Sequence, residues 1–441
     1  MAPPPPTYLV LLLVVVVALL ISPACSTLRL GFDGVVPEGI RLDLVHVDYG
    51  DNFTKFELLQ RAMKRGKQRL ERLKAGAVLV DDNAGHQIQA PVHVGSGEYL
   101  VNLAIGTPSA PFTAILDTGS DLIWTQCKPC SRCYKQSSPI FDPSRSSSYS
   151  KVPCSSPLCK ALPNSKCSVD CKYLYAYGDY STTQGVMASE TFTLGSTSVP
   201  HIGFGCSDDT EGDGFNQGAG LVGLGRGPLS LVSQLGLGKF SYCLSSIDDT
   251  KTSPLLFGSL AKMNESFKAQ VATTPLVQNP SHPSFYYLSL EGITVGGTLL
   301  SIPNSTVVSK DGTGGMIIDS GTTITYLEAP TYKLMKKAFI AQTKLPVDDG
   351  SSTGLDLCFS VPSNDSTVEV PKLIFHFKGA DLDLPPDNYM IQDSITGLLC
   401  VMIMESKGMS IFGNMQQQNV QVIYDLEKEE LSFAPVQCNQ L

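Results

Sequence analysis

"ILDTGSDLIW", from Ile115 to Trp124, places a carboxylate after two aliphatic residues, at the lip of a turn, just before another apolar run. The pattern returns 202 positions later as "IIDSGTTITY", from Ile317 to Tyr326. For a single Asp-Thr-Gly, an Asx-turn on a surface loop is the simpler account. Two copies in matched apolar settings point instead to two aspartates, Asp117 and Asp319, that act together. Gly119 and Gly321 allow a tight turn and the close approach of two loops. Ser and Thr neighbours can hydrogen-bond a carboxylate and fix its rotamer.

The repeat extends further. "GAGLVGLG" follows Asp117 and contains Leu221-Val222-Gly223, while "MSIFGNM" follows Asp319 and contains Ile411-Phe412-Gly413. Each half thus holds an apolar-apolar-Asp-Ser/Thr-Gly unit and, roughly a hundred residues on, an apolar-apolar-Gly unit, which is the signature of a duplicated lobe. Between and around these units, short apolar runs alternate with turns, as in "EYLVNLAIGTP" and "KLIFHFKGADLDLP". This is an all-β pattern. Few helices are expected in this body, among them Ala329 to Thr343 and Leu229 to Leu235. Residues 218–223 match GxGxxG but lack a βαβ setting, so a dinucleotide site is not expected.

The bulk properties agree. Of 441 residues, 42% are apolar and 17% charged, which suits a large globular core, and a net charge of −9 argues against nucleic acid as a partner. Tyr8 to Ser22 is an apolar run broken by Pro23 and followed by Ala24-Cys25-Ser26, the layout of a secretory signal, residues 1–26; its short length argues against an uncleaved membrane anchor. Residues 27–90 differ in character: Arg61 to Lys74 carries seven basic residues against one acid, with Leu58, Leu59, Met63, Leu70 and Leu73 on one helical side. This reads as a solvated helix or as a pro-segment covering something acidic. The lobes are expected at 91–262 and 263–441.

Of the 13 cysteines, Cys25 falls in the signal, leaving an even twelve. In an oxidising route these read as disulfides. Cys127-x-x-Cys130-x-x-Cys133 has the look of a metal cluster, but the four histidines of the expected mature chain are scattered singly and no metal or cofactor is expected. Sequons stand at Asn52, Asn264, Asn304 and Asn364. A GxSxG elbow and an HExxH motif are both missing from the sequence, which argues against serine hydrolases and zinc peptidases of those types.

The paired aspartate units, their apolar-apolar-Gly partners and the "KYLYAYGDYST" hairpin, Lys172 to Thr182, resemble the pepsin-like aspartic peptidases. The cysteine-rich insert after Asp117 and "FYYLSLEGITVGG" resemble the plant nepenthesin-type branch. The resemblance implies a bilobal all-β fold with a cleft between lobes and a catalytic dyad of Asp117 and Asp319. Two like charges at such a distance would share one proton over an acidic range, one carboxylate activating water and the other protonating the scissile carbonyl. It implies a flap of Tyr177, Gly178 and Asp179, with Trp124 holding the flap tyrosine. Ser120 and Thr322 would bond the outer oxygens of the dyad, beside Gly119 and Gly321, and Leu221 and Ile411 would lie on the cleft wall. The implied disulfides are Cys127–Cys130, Cys133–Cys206, Cys154–Cys171, Cys159–Cys167, Cys243–Cys438 and Cys358–Cys400. The implied function is a secreted acid endopeptidase made as a zymogen, a monomer acting on proteins or peptides and blocked by pepstatin-type inhibitors. Its place would be the apoplast or the vacuole, with no membrane association after signal cleavage. The competing reading is a silent binding protein on the same fold, like the xylanase-inhibitor relatives. Those relatives break the second aspartate unit or the flap, and both are intact here.

Overall fold

A computed structural model describes residues 37–441 except 51, 65–98, 164, 178–180, 213–214, 216–217, 250, 264–270, 304–307, 309–313, 349, 363–367 and 407. The expected signal, most of the basic stretch and the sequons at Asn264, Asn304 and Asn364 lie outside the described residues.

Strands dominate. Along Tyr99–Ile105, Tyr99, Val101, Leu103 and Ile105 turn inward and Asn102 outward, the period of two that buries one face of a sheet. This strand pairs antiparallel with Ala110–Asp117, which delivers Asp117 at its end. Gly220–Gly223 then lies parallel to it, with Leu221 opposite Ile115 and Gly223 opposite Asp117. The second half repeats the arrangement: Met316–Ile318 leads to Asp319, and Ser410–Phe412 runs parallel beside it, with Ile411 opposite Ile317. The two apolar-apolar-Gly units are therefore the strands that flank the two aspartates. Helices form at Ala329–Gln342 and Leu231–Leu235, where they were expected. Pro330 occupies the first turn of the longer one, and Ser230 caps the shorter one, which Gly236 ends at φ 65°.

Among the described residues, a 15-stranded sheet runs through the first half and takes in the C-terminal hairpin of Val420–Asp425 and Glu430–Pro435, which joins at Lys239–Cys243. Sheets of five, four and four strands complete the second half.

Residues ahead of Tyr99 are built into this frame. Gly39–His46 forms a strand between Ser253–Gly258 and the start of Tyr99–Ile105, burying Ile40, Leu42 and Leu44. A helix over 55–64 follows, opened by a capping box in which Glu57 N–H donates to Thr54 Oγ1 (3.2 Å) and Thr54 N–H donates to Glu57 Oε2 (2.8 Å). Its Phe56, Leu58, Leu59 and Ala62 enter an apolar cluster with Phe285, Tyr287, Ile324, Tyr326 and Leu355. The sequence points to a basic segment facing an acidic body. In its described part the contact is chiefly apolar: Arg61 pairs with Asp48 of the same segment at 3.1 Å, while Arg41 donates to Leu441 O at 3.2 Å and Lys55 lies 3.8 Å from Asp248.

Twelve cysteines form six disulfides, and the pairing corrects four of the six expected. Cys243–Cys438 and Cys358–Cys400 stand as expected. Cys127 bonds Cys206, not Cys130, because the parallel pairing of Trp124–Gln126 with Thr197–Glu211 sets Thr125 opposite Cys206, and the Cα atoms of Cys127 and Cys206 lie 5.4 Å apart. Cys130 and Cys133 then close their own short loop instead of reaching Cys127 and Cys206. Cys167 and Cys171 face each other across a hairpin, and they join Cys154 and Cys159 respectively, the reverse of Cys154–Cys171 and Cys159–Cys167. Four sulfurs crowd this spot, with Cys159 Sγ only 3.5 Å from its non-bonded neighbour Cys167 Sγ, so spacing along the chain does not separate the two pairings.

Candidate active site

Asp117 and Asp319 are fully buried and held alike. Gly119 N–H donates to Asp117 Oδ1 at 3.0 Å and Ser120 Oγ–H to Oδ2 at 2.5 Å. Gly321 N–H donates to Asp319 Oδ1 at 3.1 Å and Thr322 Oγ1–H to Oδ2 at 2.5 Å. The backbone bond exists because each loop turns back two residues after its aspartate. The hydroxyl arrives one residue later, on the side the turn presents.

The loops also grip each other. Ser320 N–H donates to Thr118 Oγ1 at 3.0 Å, and that hydroxyl donates to Ser320 Oγ at 3.2 Å. Residues adjacent to the two aspartates are thereby bonded, which holds the two aspartate loops side by side. The flanking glycines make room: a Cβ on Gly223 would fall 2.3 Å from the backbone carbon of Asp121, and one on Gly413 would fall 2.3 Å from that of Ile324.

Tyr173, Tyr175 and Tyr177 share the inner face of Cys171–Ala176 and its extension, while Lys172 and Leu174 point outward. Trp124 Nε1–H donates to Tyr177 Oη at 2.7 Å, and Phe215 packs edge-on against both rings at 4.7 and 5.0 Å. Burial pushes the Tyr177 phenol well above its ordinary range, with Tyr175 and Asp117 adding to the effect. Gly178 and Asp179 lie outside the described residues. Leu221 and Ile411, expected on the cleft wall, lie on the strands that flank the two aspartate strands. Both are fully buried, because strand pairing sets them inside the packing. Ile411 shares the apolar cluster that receives Phe56 and Leu59.

Sequence reasoning missed Asp121. Its carboxylate is buried, accepts from Gly227 N–H at 2.9 Å and from the Ser284 hydroxyl, and lies against Gly225. The alternating glycines Gly223, Gly225 and Gly227 are the signal that could have revealed a close neighbour.

The aspartic proteinase nepenthesin-1 of Nepenthes gracilis is 50% identical over 427 residues, covering 95% of this chain and 96% of that protein. The chain belongs to the nepenthesin-type branch of the pepsin-like aspartic peptidases. Nepenthesin-2 of the same plant is 48% identical over 95% of each chain, and aspartyl protease 37 of Oryza sativa subsp. japonica is 37% identical over 92% and 95%. Like these relatives, this member of the branch is an aspartic-type endopeptidase. Family models described as xylanase inhibitor N-terminal and C-terminal match residues 99–259 and 285–435. The same fold occurs in the crystal structures of edgp (TM-score 0.65, covering 93% of this chain and 97% of that one) and of soybean basic 7S globulin (0.62, 90% and 96%), each at 18% identity. No helix of the described residues is long and apolar enough to cross a membrane.

Proposed function

We propose that Asp117 and Asp319 form the catalytic pair of a secreted acid endopeptidase. The observation that carries this is the Thr118–Ser320 crossing with the same two hydrogen bonds on each aspartate. In such a pair the ionised carboxylate takes a proton from water while the protonated one donates to the scissile carbonyl. Water therefore attacks directly and no covalent intermediate forms. Tyr177, held by Trp124, together with Gly178 and Asp179, would close over a protein or peptide substrate as the flap. Ser120 and Thr322 would keep the carboxylates in register.

The chain is made as an inactive precursor. This reading rests on the helix over 55–64, whose Ala62 carbonyl accepts from Thr323 Oγ1 at 3.0 Å, one residue beyond Thr322. The segment would be removed by cleavage between about Lys74 and Val94 in acid. The apolar run of Tyr8 to Ser22 and six disulfides support a secretory route to the apoplast or the vacuole. Asn264, Asn304 and Asn364 would carry glycans on that route.

Purified protein incubated with a peptide library across pH, with and without pepstatin, tests the function. Asp117→Asn and Asp319→Asn should each abolish hydrolysis and leave the fold intact. The names of the two matching family models favour a second reading, a silent inhibitor-like binding protein. Intact aspartate units and Tyr177 weigh against it, and wild-type protein inert at every pH would favour it.

A further inference from the structure

Asp121 sits four residues after Asp117 with its carboxylate buried, turned to the start of the second half of the chain. Burying a carboxyl group is costly unless hydrogen bonds compensate, so an apolar residue would be the cheaper occupant here. Both of its oxygens are engaged: Oδ1 accepts from Gly227 N–H at 2.9 Å, and Oδ2 from the Ser284 hydroxyl. The fit is tight, since a Cβ on Gly225 would lie 2.3 Å from Oδ1 and one on Gly227 2.1 Å from Oδ2.

The segment that Asp121 holds, residues 224–227, also holds the Asp117 loop. Leu224 N–H donates to Asp117 O and Gly225 N–H to Ser120 O, each at 2.8 Å. The same segment is tied to the second half. Arg226 N–H donates to Ser284 O at 3.0 Å, Tyr286 Oη–H donates to Leu224 O at 2.6 Å, and the Arg226 guanidinium bonds Glu429 and Val277 O. In the second aspartate unit the equivalent position is Thr323, a hydroxyl that bonds Ala62 instead. Only the first loop carries the buried carboxyl.

We propose that Asp121 is a positioning residue: through Gly227 and Ser284 it fixes the Asp117 loop to the junction of the two halves and so sets the Asp117 carboxylate against Asp319. This rests on the reading of Asp117 and Asp319 as the catalytic pair. The clasp works in either protonation state. The titratable and charged groups around the carboxyl are the buried Tyr175 and Tyr286 phenols, whose titration its charge raises, and the Arg226–Glu429 pair on the segment it holds. An ionised carboxylate accepts from Ser284 Oγ–H, and a neutral acid donates to Ser284 Oγ while still accepting from Gly227 N–H. The hold on Asp117 therefore persists in acid, where the paired aspartates work.

The test uses the processed enzyme with a peptide substrate, comparing Asp121→Ala, Asp121→Asn and Ser284→Ala, with Asp117→Asn as control. A displaced catalytic group should cost Asp121→Ala about 30-fold or more in kcat with KM within about twofold, and Ser284→Ala roughly three- to tenfold in the same sense. Asp121→Asn should recover to within about threefold of wild type, because its carboxamide oxygen accepts from Gly227 and its NH2 donates to Ser284. A merely structural role would lower the unfolding midpoint while leaving kcat per folded molecule unchanged, and that result overturns the proposal. So does an equal kcat loss in Asp121→Ala and Asp121→Asn. If Asp121→Ala does not fold, Ser284→Ala decides, and wild-type kcat there is a refutation. Activity surviving in Asp117→Asn sinks the catalytic assignment and this inference with it. Loss in Asp117→Asn beside unchanged kcat in the other variants sinks this inference alone.

Discussion

Thr323 donates its hydroxyl to the carbonyl of Ala62 at 3.0 Å, directly after the residue whose hydroxyl holds Asp319. The segment ahead of Tyr99 thus touches the chain beside the second aspartate, and Leu59, fully buried, is the centre of its apolar face. Replacing Leu59 with Asp in the precursor should weaken docking by about 3 kcal/mol or more, a bias above 100-fold toward the open form. The expected result is peptide hydrolysis by the unprocessed variant in mild acid, at a pH where the wild-type precursor is still closed. Because the described part of the contact is chiefly apolar, raising salt in mild acid should release little activity from the wild-type precursor.

The Thr118–Ser320 crossing makes a second prediction. Thr118→Ala leaves the Ser320 N–H buried with no hydroxyl to accept it, at a cost of about 1–3 kcal/mol in stability. Urea unfolding should show the midpoint falling. Peptide hydrolysis should fall as well, since this bond sets the spacing of the two loops.

Burial raises the Asp121 carboxyl above its ordinary value of 3.8, with the Ser284 hydroxyl and Gly227 N–H working against the shift. Within the window above 3.8 the folded protein binds more protons than the unfolded chain. Stability from this group is therefore fully present in acid and declines as pH rises through the folded value. Asp121→Asn has no proton to lose, so its unfolding midpoint should fall less steeply between pH 4 and neutrality than that of the wild type. Parallel curves for the two proteins would contradict the sign of this shift.

Trp124→Phe removes the donor to Tyr177. Loss of one buried hydrogen bond should cost about 1 kcal/mol, or roughly a five- to tenfold fall in kcat/KM if the tyrosine closes over substrate. Tyr177→Phe breaks the same bond, so the double variant should lose less than the sum of the two, which a kinetic double-mutant cycle would register.

Non-reducing peptide mapping should recover Cys127–Cys206 and Cys130–Cys133. Cys243–Cys438 closes a separation of 195 residues and anchors the C-terminal hairpin. Substituting both cysteines by Ser should lower stability by about 3–5 kcal/mol, read as a shift in the urea midpoint.

The two aspartate units and their glycine-ended partners were legible because each reports a local demand: a strand, a turn and room for a neighbour. Trp124 and Tyr177 were legible through the family resemblance, and the Tyr173–Tyr175–Tyr177 face through its period of two. The disulfides were only partly so, since Cys154, Cys159, Cys167 and Cys171 meet in one cluster and chain spacing fits either pairing. Asp121 escaped notice because its partners, Gly227 and Ser284, lie 106 and 163 positions away. Leu221 and Ile411 were assigned to a cleft wall by analogy, and strand register sets them beside the two aspartate strands.

Gly39–His46 is bonded along both edges, to Ser253–Gly258 on one side and to Tyr99–Val101 on the other. A cut near residue 80 would sever the covalent thread but none of these bonds. Scission and departure are then separate events with separate clocks. The second clock is unimolecular: it runs at the rate at which a zipped ribbon peels from its neighbours, whatever the concentration of protease. Progress curves begun from freshly nicked protein should show a lag of constant length across dilutions.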